Sequence, residues 1–181
     1  MFNDFPAHGD LYVPGPAGGP SVGETIRKLV QTDAYWTNQF LTGTTTVTAG
    51  NGVLTNTMGN QYLSLLFKPL RAENLLRITA SIICSTTASA GTLYAMLFVN
   101  SETNCRTAVP AIVTAGEYIQ RISLDYDMVA GTQSPILFTV RAGCNVAATT
   151  QLNHNSGANY GGSFRSIITV EEYETIPGAR S

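Results

Sequence analysis

Few side chains in this sequence could take part in catalysis, and they are scattered along the chain. The two histidines are His8, in the run His-Gly-Asp, and His154, in a polar Asn-rich stretch. Hydrolysis of the Ser-His-Asp kind needs a histidine beside a nucleophile and an orienting carboxylate, and no G-x-S-x-G turn is present to display a serine. We therefore predict no catalytic residue and interpret both histidines as solvated. The alternative for His154 is that three copies meet near a threefold axis and bind a metal or an anion.

The acidic residues and the single tryptophan each allow two interpretations. Asp125 and Asp127 alternate on one strand face about 7 Å apart, a separation that a glycosidase pair could have, but a hydrated outer face is the interpretation we favour. Glu171, Glu172 and Glu174 are treated in the same way, or as interfacial partners of Arg165 or Arg141. Trp36 could stack on a sugar, although packing between a helix and the β domain is the favoured role.

The three cysteines do not have the spacing of a metal site or a disulfide framework. Cys84, Cys105 and Cys144 are odd in number, widely spaced and without a C-x-x-C pair, which is unlike zinc sites and disulfide-rich domains. Each is expected to act as a small apolar residue in or near a strand. No metal and no other cofactor is predicted.

Composition limits the classes of partner. Of 181 residues, 44% are hydrophobic and 12% are charged, the latter about half the usual share. Either partners hide much of the surface, or Thr, Ser, Asn and Gly solvate it. The ten basic residues are scattered and the net charge is −2, which disfavours nucleic acid. No apolar run approaches the ~20 residues of a membrane span, and the acidic start of the chain does not resemble a signal peptide, so we expect synthesis in a host cytoplasm without export.

The N-terminal third is predicted to hold an arm and a helix. Residues 1–20 alternate Pro and Gly, which prevents a helix or a central strand, and such an arm is expected to need a partner surface in order to become ordered. Residues 21–34 are predicted as a short helix, since Ser21 and Glu24 have capping-box spacing and Val22, Ile26 and Leu29 share a helical stripe. This helix lies either on a threefold axis or on its own domain.

Residues 35–181 are predicted to form the β domain. Two short strands, 44–48 and 53–57, flank a hairpin-type turn, and further strands are expected at 61–68, 74–84, 91–99, 106–113, 117–128, 134–141, 146–153 and 163–173. The strands around Ile78 and Ile122 alternate apolar and polar residues, as half-buried antiparallel strands do. The run Leu93–Val99 is apolar on both faces. Because one face of a sandwich strand meets the core, its second face needs a cover, which we assign to a homotrimer axis, with the helix or arm as the alternative.

Several motifs in the C-terminal third resemble a known family. Four motifs resemble the last strands of trimeric jelly-roll domains in bacteriophage structural proteins, which resemble the tumour-necrosis-factor and C1q fold. They are the run from Gln133 to Gly143, the pair Leu152-Asn153, the run Tyr160-Gly-Gly162 and the run from Ser166 to Tyr173. The match spans roughly residues 60–173. It departs from the family pattern at His154-Asn155 and in the insertion from Asn155 to Asn159, both in the apex loop of such a domain.

The resemblance implies an all-β antiparallel jelly-roll β-sandwich, here with an extended N-terminal arm and one short helix. The implied function is a non-enzymatic phage capsid decoration (cement) protein on the head surface of the virion, with itself and the major capsid protein as partners. The alternative is a receptor- or glycan-binding knob of a tail or head fibre, with host glycan as partner. The predicted capsid-binding arm residues are Phe2, Phe5, Pro6, Leu11, Tyr12, Val13 and Pro14. The predicted trimer-interface residues are Tyr62, Leu66, Tyr94, Met96, Phe98, Tyr160, Phe164 and Ser166. The possible apex-loop residues are Asn153, His154, Asn155 and Asn159.

Overall fold

The protein is a sandwich of two antiparallel β-sheets, as the alternation of residue types predicts. A computed structural model describes residues 26–48, 52–114, 116, 118–154 and 162–176. Its strands are β1 (Ile26–Thr37), β2 (Leu41–Gly43), β3 (Asn60–Phe67), β4 (Leu75–Thr86), β5 (Gly91–Val99), β6 (Thr107–Val113), β7 (Gln120–Val129), β8 (Ile136–Cys144), β9 (Thr150–Leu152) and β10 (Ser166–Ile176). Within these described ranges, no helix is long and apolar enough to cross a membrane.

The first sheet has six strands arranged as four rows. One edge of β4 pairs with β7, and its other edge is shared between β10 and β9. The outer neighbours are β1, which pairs with β10, and β2, which pairs with β9. Because Ser81 pairs with Ile167 and Cys84 pairs with Leu152, β10 and β9 follow one another along β4. They form one interrupted row, and β1 and β2 form a second.

The second sheet has four strands in the order β3-β8-β5-β6. When β1 with β2 and β9 with β10 are each counted as one row, the chain has eight rows in sequence. The first row pairs with the eighth, the second with the seventh, the third with the sixth and the fourth with the fifth. The chain is therefore one long antiparallel hairpin folded over on itself.

The core lies between the two sheets and follows the predicted alternation. On β4, Leu76, Ile78 and Ile82 face inward and are almost completely buried, and on β7 Ile122 and Leu124 do the same. Facing strands of the second sheet contribute Phe67, Leu93, Leu97, Ile136 and Phe138. Burying a side chain of this size stabilises the fold by about 1.5–3 kcal/mol.

The predicted helix over 21–34 is wrong in the part that the structure describes. Residues 26–34 belong to β1, which pairs with β10 from Ile26↔Ile176 to Thr37↔Ser166, with one irregularity between Leu29 and Gln31. Tyr35, Trp36 and Thr37 at the end of β1 favour a strand, and pairing to a distant strand supplies hydrogen bonds that a local pattern does not reveal. The sandwich thus includes residues before 35, while the arm and the Ser21–Glu24 capping box lie outside the described residues.

The predicted hairpin around residues 44–57 is also wrong. Neither arm is a strand in the described residues, apart from an isolated bridge between Thr55 and Asn104. The amide of Val47 donates to the carbonyl of Cys144 at 2.9 Å, and the amide of Thr45 donates to Oδ1 of Asn60. The described part of the segment therefore bonds to the end of the sandwich. The other predicted strands are present, although β9 is shorter than expected.

Candidate functional site

A buried polar junction fills the break between β9 and β10. Asn153 is fully buried with φ 55°, and its Nδ2 donates to the carbonyls of Thr37 (2.9 Å) and Gln39 (3.2 Å). Its Oδ1 accepts a hydrogen bond from Oγ of Ser166 at 2.8 Å. Oγ of Ser166 in turn accepts one from the amide of Ile83 at 2.9 Å. The junction ties β1, β4 and β10 together where the pairing of β1 ends.

His154 belongs to the same junction, so its interpretation as a solvated residue is wrong. The side chain is buried and its ring stacks on Phe40, with centroids 3.9 Å apart. Its Nδ1 lies 3.3 Å from Oε1 of Gln151, and its carbonyl accepts from Oγ of Ser85 at 2.8 Å. Asn153 and His154 are thus structural supports and not exposed apex residues, whereas Asn155 and Asn159 lie outside the described residues.

An aromatic and cationic pair lies on the outer face above this junction. Trp36 is 52% exposed and pairs across the sheet with Ile167. The guanidinium carbon of Arg165 lies 4.9 Å from the centroid of the indole. Trp36 was expected to pack against a helix, and that expectation is wrong because this segment is a strand whose tryptophan points outward. Asn38, Gln39 and Phe40 follow in the break between β1 and β2 and are exposed as well.

The second apolar face of β5 is covered by the same chain. Met96 and Phe98 are 0% and 1% exposed and form a small second core with Val47, against which Leu54 and Met58 pack. Arg141 fastens this cover by donating to the carbonyls of Met58 (3.0 Å) and Gly59 (2.7 Å), and burial lowers the pKa of its guanidinium. The second face of β5, whose apolar residues led to the trimer prediction, is therefore buried within the chain. The trimer itself stays a prediction.

The other predicted trimer residues are found in different environments. Tyr62 is buried, its hydroxyl donates to the carbonyl of Thr150 at 3.0 Å, and burial together with the nearby Cys84 raises its pKa. Ser166 is buried in the polar junction, while Tyr94 and Phe164 are half-buried. Leu66, at 61%, is strongly exposed. Tyr160 and the predicted arm residues lie outside the part of the chain that the structure describes.

The acidic residues divide into an exposed group and one buried residue that the sequence analysis missed. Asp125 and Asp127 lie on the outer face, and Asp127 pairs with Arg77 at 3.7 Å. Glu172 is fully buried and its carboxylate accepts hydrogen bonds from the amides of Leu70 and Arg71 and from Nδ2 of Asn74. The signal was available: Ile168, Val170 and Glu172 alternate on the inward face.

Within the chain, Glu171 and Glu174 have partners other than Arg165 and Arg141, and their interfacial role stays a prediction. Glu171 accepts from the hydroxyl of Tyr173 at 2.7 Å, and Glu174 pairs with Arg71 at 3.5 Å. The hydrogen bond from Tyr173 to Glu171 is the main cause of the raised pKa of the Tyr173 hydroxyl. Across the residues described, no three His, Cys, Asp or Glu side chains gather into a group that could hold a metal ion.

The cysteines are small apolar residues, as predicted. Cys84 and Cys144 are buried in the main core and Cys105 packs at the edge of the second one, and all three are free thiols. Burial raises the pKa of the Cys84 thiol to about 12. A thiolate is the reactive form, so Cys84 is inert at neutral pH.

Comparisons with known proteins give only remote structural likenesses. No protein-family model matches the sequence, and no curated protein matches it. Among solved structures, the C-terminal domain of EclA, described as a sugar-binding protein, is 13% identical with a TM-score of 0.33, over 86% of this chain and 88% of that one. The VP2 subviral particle of infectious bursal disease virus is 12% identical with a TM-score of 0.38; the match covers 96% of this chain but 46% of VP2. Dimeric latent PorU from Porphyromonas gingivalis is 14% identical with a TM-score of 0.35, and 14% of it is covered. Likenesses at these values carry no functional argument.

Proposed function

We propose that this chain is a non-enzymatic structural protein of a virion, a phage capsid decoration protein that sits as a trimer on the head surface. The observation that carries the proposal is the pairing of the eight strand rows in chain order: the first row pairs with the eighth, and the second row pairs with the seventh. This is the arrangement expected of a jelly roll, a sandwich used by viral capsid and lectin domains. The motifs of β8 and β10 that resemble trimeric phage jelly rolls support the same assignment.

The arm gives the proposed mechanism. Residues 1–20 precede β1, and among the described strands only β10 pairs with β1, so the arm leads into an edge of the first sheet. We place the contact with the major capsid protein on the arm, where Phe2, Phe5, Leu11 and Tyr12 supply apolar area. Burying such area contributes about 25 cal/mol per Å². Spread over junctions between coat subunits, this would resist the pressure of the packaged genome.

We place the trimer contact around Leu66 instead of around Met96 and Phe98. Leu66 is 61% exposed on β3, a strand at the edge of the second sheet, and Leu70 in the following loop is 53% exposed. We propose that a partner surface covers these two leucines in the trimer. Met96 and Phe98, by contrast, are buried within the chain and have almost no accessible surface for a contact with another subunit.

The decisive experiment compares purified phage heads with and without this protein. Heads that lack it are expected to release their genome at a lower temperature. Adding the full chain is expected to restore the original release temperature. A chain that lacks residues 1–20 serves as the matched control and is expected to rebind poorly. Equal thermal stability of the two kinds of head would contradict the decoration role.

The second candidate is a receptor- or glycan-binding knob of a tail or head fibre, with host glycan as partner. The exposed Trp36 beside Arg165 is the observation that favours it, because aromatic and guanidinium groups commonly line sugar sites. Location separates the candidates: immunogold labelling spread over the head supports decoration, and labelling confined to fibre tips supports the knob.

A further inference from the structure

The indole of Trp36 is held in solvent at a fixed place. Trp36 is the last exposed residue of β1 before the buried Thr37, and 52% of its surface is accessible. A tryptophan offers a large flat apolar surface, and leaving it in water forfeits the stabilisation that its burial would give. Phe40, four residues on, is 44% exposed. Two aromatic rings thus remain accessible on one short stretch of backbone.

Arg165 adds a positive charge that lies against the indole. Its guanidinium carbon is 4.9 Å from the ring centroid, within the range of a cation–π contact. None of the ion pairs among the described residues involves Arg165. A guanidinium presents N–H donors in a planar fork that matches a carboxylate. Arg165 is therefore oriented by the tryptophan while its donors remain available to an anion from outside.

Hydrogen bonds from buried residues hold the backbone beneath these side chains. Asn153 donates to the carbonyls of Thr37 and Gln39, and Oγ of Thr37 accepts from the amide of Gln39 at 3.1 Å. The ring of Phe40 rests on the buried His154. Asn38 lies against Gly162, where an added Cβ would come within 3.0 Å of its Nδ2. Side chains fixed before binding lose little entropy when a ligand arrives.

We propose that Trp36, Asn38 and Arg165 form a binding site for an acidic sugar, a hexuronic or sialic acid residue of a glycan. The apolar face of the pyranose would lie on the exposed part of the indole, the Asn38 amide would bond to a hydroxyl, and Arg165 would pair with the carboxylate through two N–H groups. An acidic peptide would use Arg165 but not the flat indole surface. The inference rests on the second candidate function, the glycan-binding knob, and names its ligand class and site. It does not depend on the decoration role, because the binding can be measured on the isolated chain without a virion.

The single tryptophan of the chain makes the test direct, since its fluorescence reports this site alone. The purified full-length protein is titrated with sialyllactose and with oligogalacturonate, each against a neutral counterpart: lactose and the methyl-esterified oligogalacturonide. We expect a saturable change in fluorescence with at least one acidic sugar. Its neutral counterpart is expected to bind at least about tenfold more weakly. No saturable change with either acidic sugar, or equal binding of the neutral forms, would overturn the proposal.

Variants separate the site from the fold. Arg165→Gln is expected to weaken acidic-sugar binding about tenfold or more, while Arg121→Gln, at an exposed arginine on β7, leaves it unchanged. Trp36→Ala, followed by calorimetry, is expected to abolish binding, and Tyr118→Ala, at an exposed aromatic elsewhere, is its control. Each variant is accepted only if its thermal melt matches that of the parent chain. Loss of binding in the two controls, or competition by a Glu-rich peptide as strong as that by the sugar, would contradict the assignment.

Discussion

Nδ2 of Asn74 donates a hydrogen bond of 2.7 Å to the carboxylate of Glu172 inside the sandwich, across 98 positions of sequence. The same carboxylate accepts from the amides of Leu70 and Arg71. One side chain of β10 therefore fixes the loop between β3 and β4. The first prediction tests this arrangement.

Glu172→Gln is expected to lower the free energy of unfolding by about 2–3 kcal/mol, because an amide NH₂ would face backbone donors that the carboxylate now satisfies, and charge-assisted bonds are the stronger kind. Urea unfolding measures the loss. Glu73→Gln, at a side chain that is 72% exposed in the same loop, is expected to stay within about 0.5 kcal/mol. Equal effects of the two substitutions would contradict the role assigned to Glu172.

The second prediction concerns the cover on β5. Phe98→Ala removes a ring from the small core with Val47 and Met96, and is expected to cost about 3–5 kcal/mol. Since the cover comes from the same chain, the loss should not depend on protein concentration. Leu66→Ala is expected to leave the unfolding of the monomer within about 0.5 kcal/mol and to weaken self-association in analytical ultracentrifugation. If Phe98→Ala abolishes association and leaves the stability of the monomer unchanged, the trimer contact lies at Met96 and Phe98 and not at Leu66.

The third prediction separates the two contributions of Asn153, its hydrogen bonds and its backbone conformation. Asn153→Gly keeps a residue that tolerates φ 55° but loses the side-chain bonds to Thr37, Gln39 and Ser166, whereas Asn153→Ala loses the bonds and adds strain. The alanine variant is expected to be less stable than the glycine variant by about 1 kcal/mol. Both should melt below the parent chain in calorimetry. An alanine variant as stable as the glycine variant would show that the backbone relaxes.

The fourth prediction is a loss of stability at alkaline pH. Burial raises the pKa of Cys84 from 9.0 to about 12 in the folded chain, so the folded form keeps a proton that the unfolded form releases. The stabilisation is complete below pH 9 and is lost as the pH rises from 9 towards 12, and the raised pKa of Tyr62 acts in the same direction. Chemical unfolding at pH 8 and pH 10.5 measures the slope. Cys84→Ala should flatten it more than Cys105→Ala does; an unchanged slope would contradict the buried thiol as its source.

The strands that the sequence predicts well are those whose pattern reports their surroundings directly. β4 and β7 alternate because each has one face on the core, and Gly91 and the segment around Gly131 mark the turns between strands. β1 fails because Ile26, Leu29 and Val30 fit a helical stripe, while the strand exists through pairing to β10, about 140 residues away in sequence. Pairing over that separation leaves no local signal.

The contacts of the site were less predictable than the sheets, for two physical reasons. His154 sits in a polar stretch that reads as a solvated loop, yet a three-dimensional junction with Gln151 and Ser85 buries it. Met96 and Phe98 were correctly expected to need a cover, but the covering segment around Val47 is rich in Thr and Gly and has no regular pattern of its own. Such a cover can be inferred only once the position of the segment over β5 is known.

The interruption between β9 and β10 has a use in protein engineering. Leu152 and Ile167 pair with Cys84 and Ser81, three positions apart on β4, so the end of β9 and the start of β10 lie within about 10 Å of each other. Two ends this close can be joined by a foreign peptide of almost any length with little change in closure entropy. A foreign peptide inserted in this row would be anchored on both sides by the hydrogen-bonded pair Asn153 and Ser166.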